Sequence, residues 1–235
     1  AKFRLSYADY EHAELEGNEI GTTFSNDGYE GRLEFVQAPV GNWKGALGVQ
    51  FRQRDFEAVG DEAFIPANDT LQLGLFALEE YELEHWIFEA STRIEYVDVE
   101  QNISGFQRDF TPISIAVGAS HLWNDWLRGG VQLYRTERAP SAEELFSNGP
   151  HFATASFELG NADLREEIAW GGEATLRAEK DRFGGALTVF FTDYNDFIVQ
   201  NCTGEEEDDL PVFAYGQTDA RFWGMELEAD AVLYE

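Results

Sequence analysis

Apolar and polar side chains alternate along most of this chain with a period of two, the pattern of strands that keep one face away from water and wet the other. Across residues 1–13, Phe3, Leu5 and Tyr7 oppose Lys2, Arg4 and Ser6. Over 23–37, Tyr29, Gly31, Leu33 and Phe35 oppose Glu30, Arg32 and Glu34, and over 43–56, Gly45, Leu47, Val49 and Phe51 oppose Lys44, Gln50 and Arg52. Leu71, Leu73, Leu75 and Ala77 mark a fourth strand at 70–80, and Trp86, Phe88, Ala90, Ile94 and Tyr96 a fifth at 85–97. Ile113, Ile115, Val117 and Ala119 belong to a sixth at 110–123, and Leu127, Val131 and Leu133 to a seventh at 126–136. The last three expected strands run over 166–179, 183–195 and 212–234; the final one carries Trp223, Met225, Leu227, Ala229, Ala231 and Leu233 on one face.

The connections between these roughly ten strands alternate in length. Turns near 38–42, 81–84, 124–125 and 180–182 are short, whereas 14–22, 57–69, 98–109, 137–165 and 196–211 are long. An up-and-down meander puts alternate turns at opposite ends, so the short ones share one end and the long ones the other. This is the plan of an antiparallel transmembrane β-barrel with short periplasmic turns and long extracellular loops. Alternation alone also fits a soluble barrel that buries its apolar face. Charges of both signs on the polar faces favour a watery lumen, and Tyr7, Trp43, Phe51, Trp86, Tyr96 and Trp223 near strand ends resemble interface girdles.

The longest interruption is Arg138 to Glu167, RAPSAEELFSNGPHFATASFELGNADLREE. Pro140 and the run Ser147-Asn148-Gly149-Pro150 are expected to break any strand, while Ser141 followed by Glu144 would cap one helical turn. A long structured loop of this kind is more often functional than idle.

Composition narrows the partners. The aromatic content of 14% and 22 glycines suit strands and turns. A formal charge of -29 repels phosphate backbones, so nucleic acid is excluded as a partner, and cations or cationic ligands fit better. The plain alternative is a solvated acidic surface. Cys202 is the single cysteine and forms no internal disulfide. A secretory leader and an apolar run long enough for a membrane helix are both missing from the 235 residues, which leaves a membrane barrel open.

No catalytic signature appears: there is no G-x-S-x-G, H-E-x-x-H, Walker loop or C-x-x-C. Ser147 and His151 lack an orienting third group, and carboxylate pairs such as Glu143 and Glu144 arise by chance among 45 acidic residues. An enzyme is not expected, nor a required cofactor. Metal capture is better motivated. His12 with Glu14 tops the first hairpin, and His151 shares the central insert with Glu144; imidazole plus carboxylate suits zinc and other borderline transition metals. Glu205 to Asp209, beside Cys202, would concentrate cations by charge.

The wording of the insert resembles the barrel domain of TonB-dependent outer-membrane receptors, in the branch associated with zinc and other metal uptake. So do YADYEHAELEGNEIGTTFSNDGYEGRLEF from Tyr7, AFIPANDTLQLGLFALEEYEL from Ala63, FTPISIAVGAS from Phe110, FFTDYNDFIVQ from Phe190 and LPVFAYGQTDARFWGMELE from Leu210, in the family's order. The resemblance implies a bacterial outer-membrane barrel, set among lipid and lipopolysaccharide, whose loops capture a metal ion or metal chelate for uptake energised through TonB. It singles out His151 in SNGPHFAT, then His12 in DYEHAELEG, as metal-handling positions. The departures are the missing plug and TonB box, the smaller strand number and the ending Leu233-Tyr234-Glu235 without a terminal aromatic residue. The expectation is therefore one barrel section spanning residues 1–235. Its even strand count would also permit closure, so the alternative is a small closed barrel acting as a passive pore or scaffold.

Overall fold

The structure, a computed structural model, describes residues 1–16, 19–60 and 63–233. Parts of two expected loops, at 17–18 and 61–62, and Tyr234 at the expected end of the last strand lie outside the described residues.

The strands are β1 (Lys2–Glu16), β2 (Glu19–Val36), β3 (Trp43–Gly60), β4 (Asn68–Leu83), β5 (Trp86–Gln101), β6 (Phe106–Phe110), β7 (Ile113–Asn124) and β8 (Leu127–Arg138). A one-turn helix α1 (Ala142–Phe146) follows, then β9 (Asn148–His151), β10 (Ser156–Leu159), β11 (Glu167–Lys180), β12 (Phe183–Glu207) and β13 (Leu210–Ala231). All thirteen strands share one sheet in the order β1-β2-β3-β4-β5-β7-β8-β11-β12-β13-β10-β9, with β6 beside β5. Setting aside the short β6, β9 and β10 leaves ten long strands, each overlapping a segment that alternation predicts. Neighbouring long strands pair antiparallel throughout.

The expected strand count therefore falls short by the three strands folded from long connections. The expected loops are also shorter than 14–22, 57–69, 98–109 and 196–211, because pairing continues into them. The β12–β13 hairpin runs out to a two-residue turn at Asp208 and Asp209, both in the left-handed region with φ of 51° and 60°. Such a turn matches the twist of the strands it joins. Alternation fades in these extensions because the inward face, polar elsewhere, turns apolar at Val99 and Ile198, yet the backbone ladder needs no side-chain pattern to persist. At the other end the turns remain short: Glu84–His85, Asp125–Trp126 and Asp181–Arg182 each join two long strands.

The two faces of the sheet differ as alternation requires. Phe3, Leu5, Leu47, Leu75, Ile115, Val131, Leu133, Trp223, Met225 and Leu227 stand exposed on one face, with Met225 75% and Leu5 72% accessible. A row of large apolar side chains left this open is stable only against lipid or another apolar partner. The opposite face carries polar ladders: Gln50 donates to Glu30 at 2.7 Å, Tyr134 bonds Thr192 at 2.8 Å, and Thr175 bonds Thr188 at 3.0 Å.

Among the described residues β1 pairs only with β2, and β13 only with β12 and β10, so the sheet is not closed. The small closed barrel expected as an alternative is not formed. The free edge of β13 is met at Val212–Ala214 by β10, running parallel, where closure would need an antiparallel β1. The 138–167 segment also lies across the polar face and joins β5 to β12 through a buried cluster of Val97, Val99, Leu145, Phe146, Leu164 and Ile198. That cluster holds the two strands at the width of the packed segment.

Candidate functional site

The 138–167 segment is built locally. Pro140, fully buried, ends β8, and Ser141 takes extended backbone angles as the N-cap of α1. The Ser141 hydroxyl accepts from the Glu144 amide at 3.3 Å and the Glu144 carboxylate accepts from the Ser141 amide at 2.8 Å, the reciprocal cap that the S-x-x-E spacing predicts. Ala142, Leu145 and Phe146 are buried against Val97, Val99 and Phe110. The polar face of β5 thus turns apolar at Val97 and Val99, where the segment lands.

The expected break at 147–150 is not found. Asn148–His151 forms β9, pairing with β10 from Asn148↔Leu159 to Ser156↔His151. Pro150 is tolerated because β9 is the last strand of the sheet and needs no donor on its outer side. The Asn148 amide donates to the Phe64 carbonyl at 2.7 Å, which ties this edge to the β3–β4 connection.

Ion pairs clamp the segment to the wall. Arg54 on β3 donates to Asn26 at 2.8 Å and to Glu143 at 3.1 Å. Arg138 donates to both oxygens of Glu144, at 2.8 and 3.1 Å, and to Glu167 at 3.3 Å; Glu167 also accepts the Ile198 amide. Burial pushes the Glu143 carboxyl up, but backbone hydrogen bonding, the Arg54 guanidinium and the Ser141 hydroxyl outweigh it and hold the group below the usual carboxylate range. Tyr215, on the water-side extension of β13, is pushed up to about 12 by burial and by Glu158, Glu144 and Glu143. It therefore remains a neutral phenol.

Beneath the segment lies a cleft of about 340 Å³. Arg52, Arg54 and Arg138 converge on it with Thr70, Gln72 and Ser141, and Glu95 and Glu137 complete its polar lining. Three guanidiniums around one cleft are unexpected in a chain of charge -29. The two engaged in carboxylate pairs keep further donors, since a guanidinium carries five N–H groups. Among the described residues Arg52 has no ion pair and is exposed.

The expected metal residues are dispersed. His12 lies on β1, stacked on Phe24 with ring centroids 4.8 Å apart, and Glu14 is exposed further along the same strand, opposite Thr22. His151 lies on β9, at the other end of the strand order. Its Nδ1 is 2.8 Å from Oε1 of buried Glu158, and its ring stacks on Phe64 at 4.4 Å. Glu158 also accepts from Gln200 at 2.7 Å. Glu144 serves as cap and arginine partner. Among the described residues no three His, Cys, Asp or Glu side chains are grouped to hold a metal ion. Cys202 is exposed and unpaired on β12, opposite Phe213. Ser147 is buried and donates to the Glu143 carbonyl at 2.5 Å, away from any nucleophilic role with His151.

The arginines lining the cleft are the candidate residues that sequence reasoning passed over. Their signal was parity: Arg52 and Arg54 share the polar face of one strand. Nothing local says that Arg138, eighty-four positions beyond Arg54, joins them.

A family profile described as "TonB dependent receptor-like, beta-barrel" matches residues 2–234. Among solved structures, the copper transporter OprC superimposes with a TM-score of 0.79 at 18% identity, over 99% of this chain and 40% of that one. The Serratia marcescens hemophore receptor HasR, solved with its hemophore HasA and heme, gives 0.71 at 14%, over 89% and 40%. The FrpB iron transporter from Neisseria meningitidis gives 0.69 at 10%, over 93% and 35%. The chain thus spans about two fifths of the length of OprC and HasR, and at these identities the likeness concerns the fold.

Proposed function

The chain belongs to the TonB-dependent receptor family as β-barrel, and is a bacterial outer-membrane protein; on that premise we propose that its cleft captures an anionic metal chelate for TonB-energised uptake. In this reading the sheet is one section of a larger barrel wall, residues 1–235 acting as a single unit. Its apolar face meets lipid and lipopolysaccharide, and its polar face lines the lumen. The chain binds and passes a solute and carries out no catalysis.

The observation that carries this reading is the convergence of Arg52, Arg54 and Arg138 under the folded 138–167 segment. Guanidinium groups recognise carboxylates and other oxyanions through paired N–H donors, and a site walled by protein strengthens that attraction. A bare cation would be repelled by Arg52, which has no carboxylate partner among the described residues. Bare zinc, the metal that the family resemblance favours, is the weaker candidate for the same cleft. The His151–Glu158 pair gives zinc two donors at most on that hairpin, and a structural zinc site needs four ligands. Relatives of this fold are described as handling copper, heme and iron, a range that fits cargo presented as a complex.

The test is a binding titration on the full-length receptor with a ferric tricarboxylate or catecholate chelate and, separately, with zinc chloride. Arg52→Ala is expected to weaken chelate binding about tenfold, the loss of one charge-assisted pair of roughly 1.4 kcal/mol. Zinc binding abolished by His151→Ala, with chelate binding absent, would replace this reading with the ion receptor.

A further inference from the structure

Near the short-turn end the apolar face holds a depression of about 390 Å³, apart from a larger one of about 680 Å³ between Phe3 and Tyr96, and its shape comes from small residues in lateral register. Ala119 on β7, Val131 on β8, Ala174 on β11 and Val189 on β12 follow one another across the sheet. One row nearer the turns come His121, Gly129, Leu176 and Leu187. Ala119, Gly129 and Ala174 sink the floor, while the rings of Trp86 and Trp123 form one wall. Trp86 and His121 lie 4.4 Å apart, and His121 and Trp123 5.3 Å. A Cβ on Gly129 would come within 2.6 Å of the Trp123 indole, so glycine there lets the ring lie down over β8.

Below the depression, Ala178 and then Lys180 continue the Leu176 face of β11 toward the turn, which places Lys180 roughly 13 Å from Leu176 along the strand. Lys180 sits over the Trp126 ring at 5.5 Å. The chain has three lysines. Lys2 pairs with Glu34 at 3.5 Å and Lys44 with Glu80 at 2.6 Å, whereas Lys180 makes no ion pair among the described residues despite an excess of 45 acidic over 16 basic side chains. Arg182 lies two positions on, in the exposed turn, with Asp181 between them.

We propose that this depression seats one acyl chain of an anionic phospholipid from the leaflet on the short-turn side, with its phosphate against Lys180. An outward-facing groove on a membrane barrel meets acyl chains, and aromatic rings at its lower rim belong at the headgroup level. An unpaired lysine at that level then supplies the charge that selects the headgroup. The short turns are periplasmic in barrels of this plan, so the ligand is a phospholipid rather than the lipopolysaccharide of the opposite leaflet. The inference rests on the outer-membrane location and is independent of what the cleft binds.

Native mass spectrometry of the full-length receptor in detergent, with phosphatidylglycerol, phosphatidylethanolamine or lipopolysaccharide added separately, tests it. One phosphatidylglycerol is expected to remain bound, retained about fivefold better than phosphatidylethanolamine, the preference one interfacial lysine confers. Lys180→Gln should abolish that preference, and Ala174→Phe should displace either phospholipid by filling the floor. Should Ala174→Phe fail to fold, Lys180→Gln alone decides. Equal retention of the two phospholipids by the unaltered protein, an undiminished preference in Lys180→Gln, or selective retention of lipopolysaccharide would overturn the proposal.

Discussion

Ser141 and Glu143 are the residues on which docking of the 138–167 segment can be read individually. Ser141→Ala removes an N-cap acceptor and is expected to destabilise α1 by about 1 kcal/mol, seen as faster amide exchange at 142–147 with the sheet unchanged. Glu143 gives a pH dependence of definite sign. Its carboxyl is held below the usual range in the folded state, so its contribution is complete above the unfolded value and is lost as the pH falls through the lowered one. Acidification should release α1 in the unaltered protein, and Glu143→Gln should flatten that acid limb in the same exchange experiment. The cap was legible in the sequence because its two partners are three positions apart. The arginine cleft was not, because its members come from β3 and the end of β8. His151 drew notice as a scarce residue type, but its neighbours Glu158, Gln200 and Phe64 depend on how a hairpin folds back onto β13.

Strands were legible where apolar and polar side chains alternate over the whole length, and were missed where they are short or where the folded segment buries part of the polar face. Alternation located the ten long strands, whereas β6, β9, β10 and the extensions of β5, β12 and β13 follow from backbone pairing that no periodicity announces. Pro150 illustrates the limit: proline excludes a central strand, and β9 is an edge. Two substitutions separate the faces. Leu75→Arg puts a charge among exposed apolar side chains and is expected to cost about 2–4 kcal/mol if it lies near the bilayer midplane. Gln72→Arg, on the cleft side of the same strand, should be tolerated; unfolding in lipid vesicles compares the two. Phe146→Ala should cost about 3–5 kcal/mol, because this ring is buried in the cluster that docks the segment and packs edge-on to the Phe106 ring. Limited proteolysis would then cut within 138–167 while the long strands survive.

At the scale of the whole molecule, the open sheet has one apolar side, one polar side and a folded segment clamped across the polar side. Its function therefore depends on whether the clamp frames a ligand or only braces the strands. The acidic surface draws cations in general, while the cleft brings three guanidiniums together, so the two features make different demands on a cargo. A chelate meets both, with a cation at its centre and an anionic exterior. Anomalous X-ray scattering at the iron edge, from crystals of the full-length receptor soaked with a ferric tricarboxylate chelate, locates the cargo without assumption. The account predicts one peak in the cleft bounded by Arg52, Arg54 and Arg138. A peak at His12 or His151, or no peak along this wall, would contradict it.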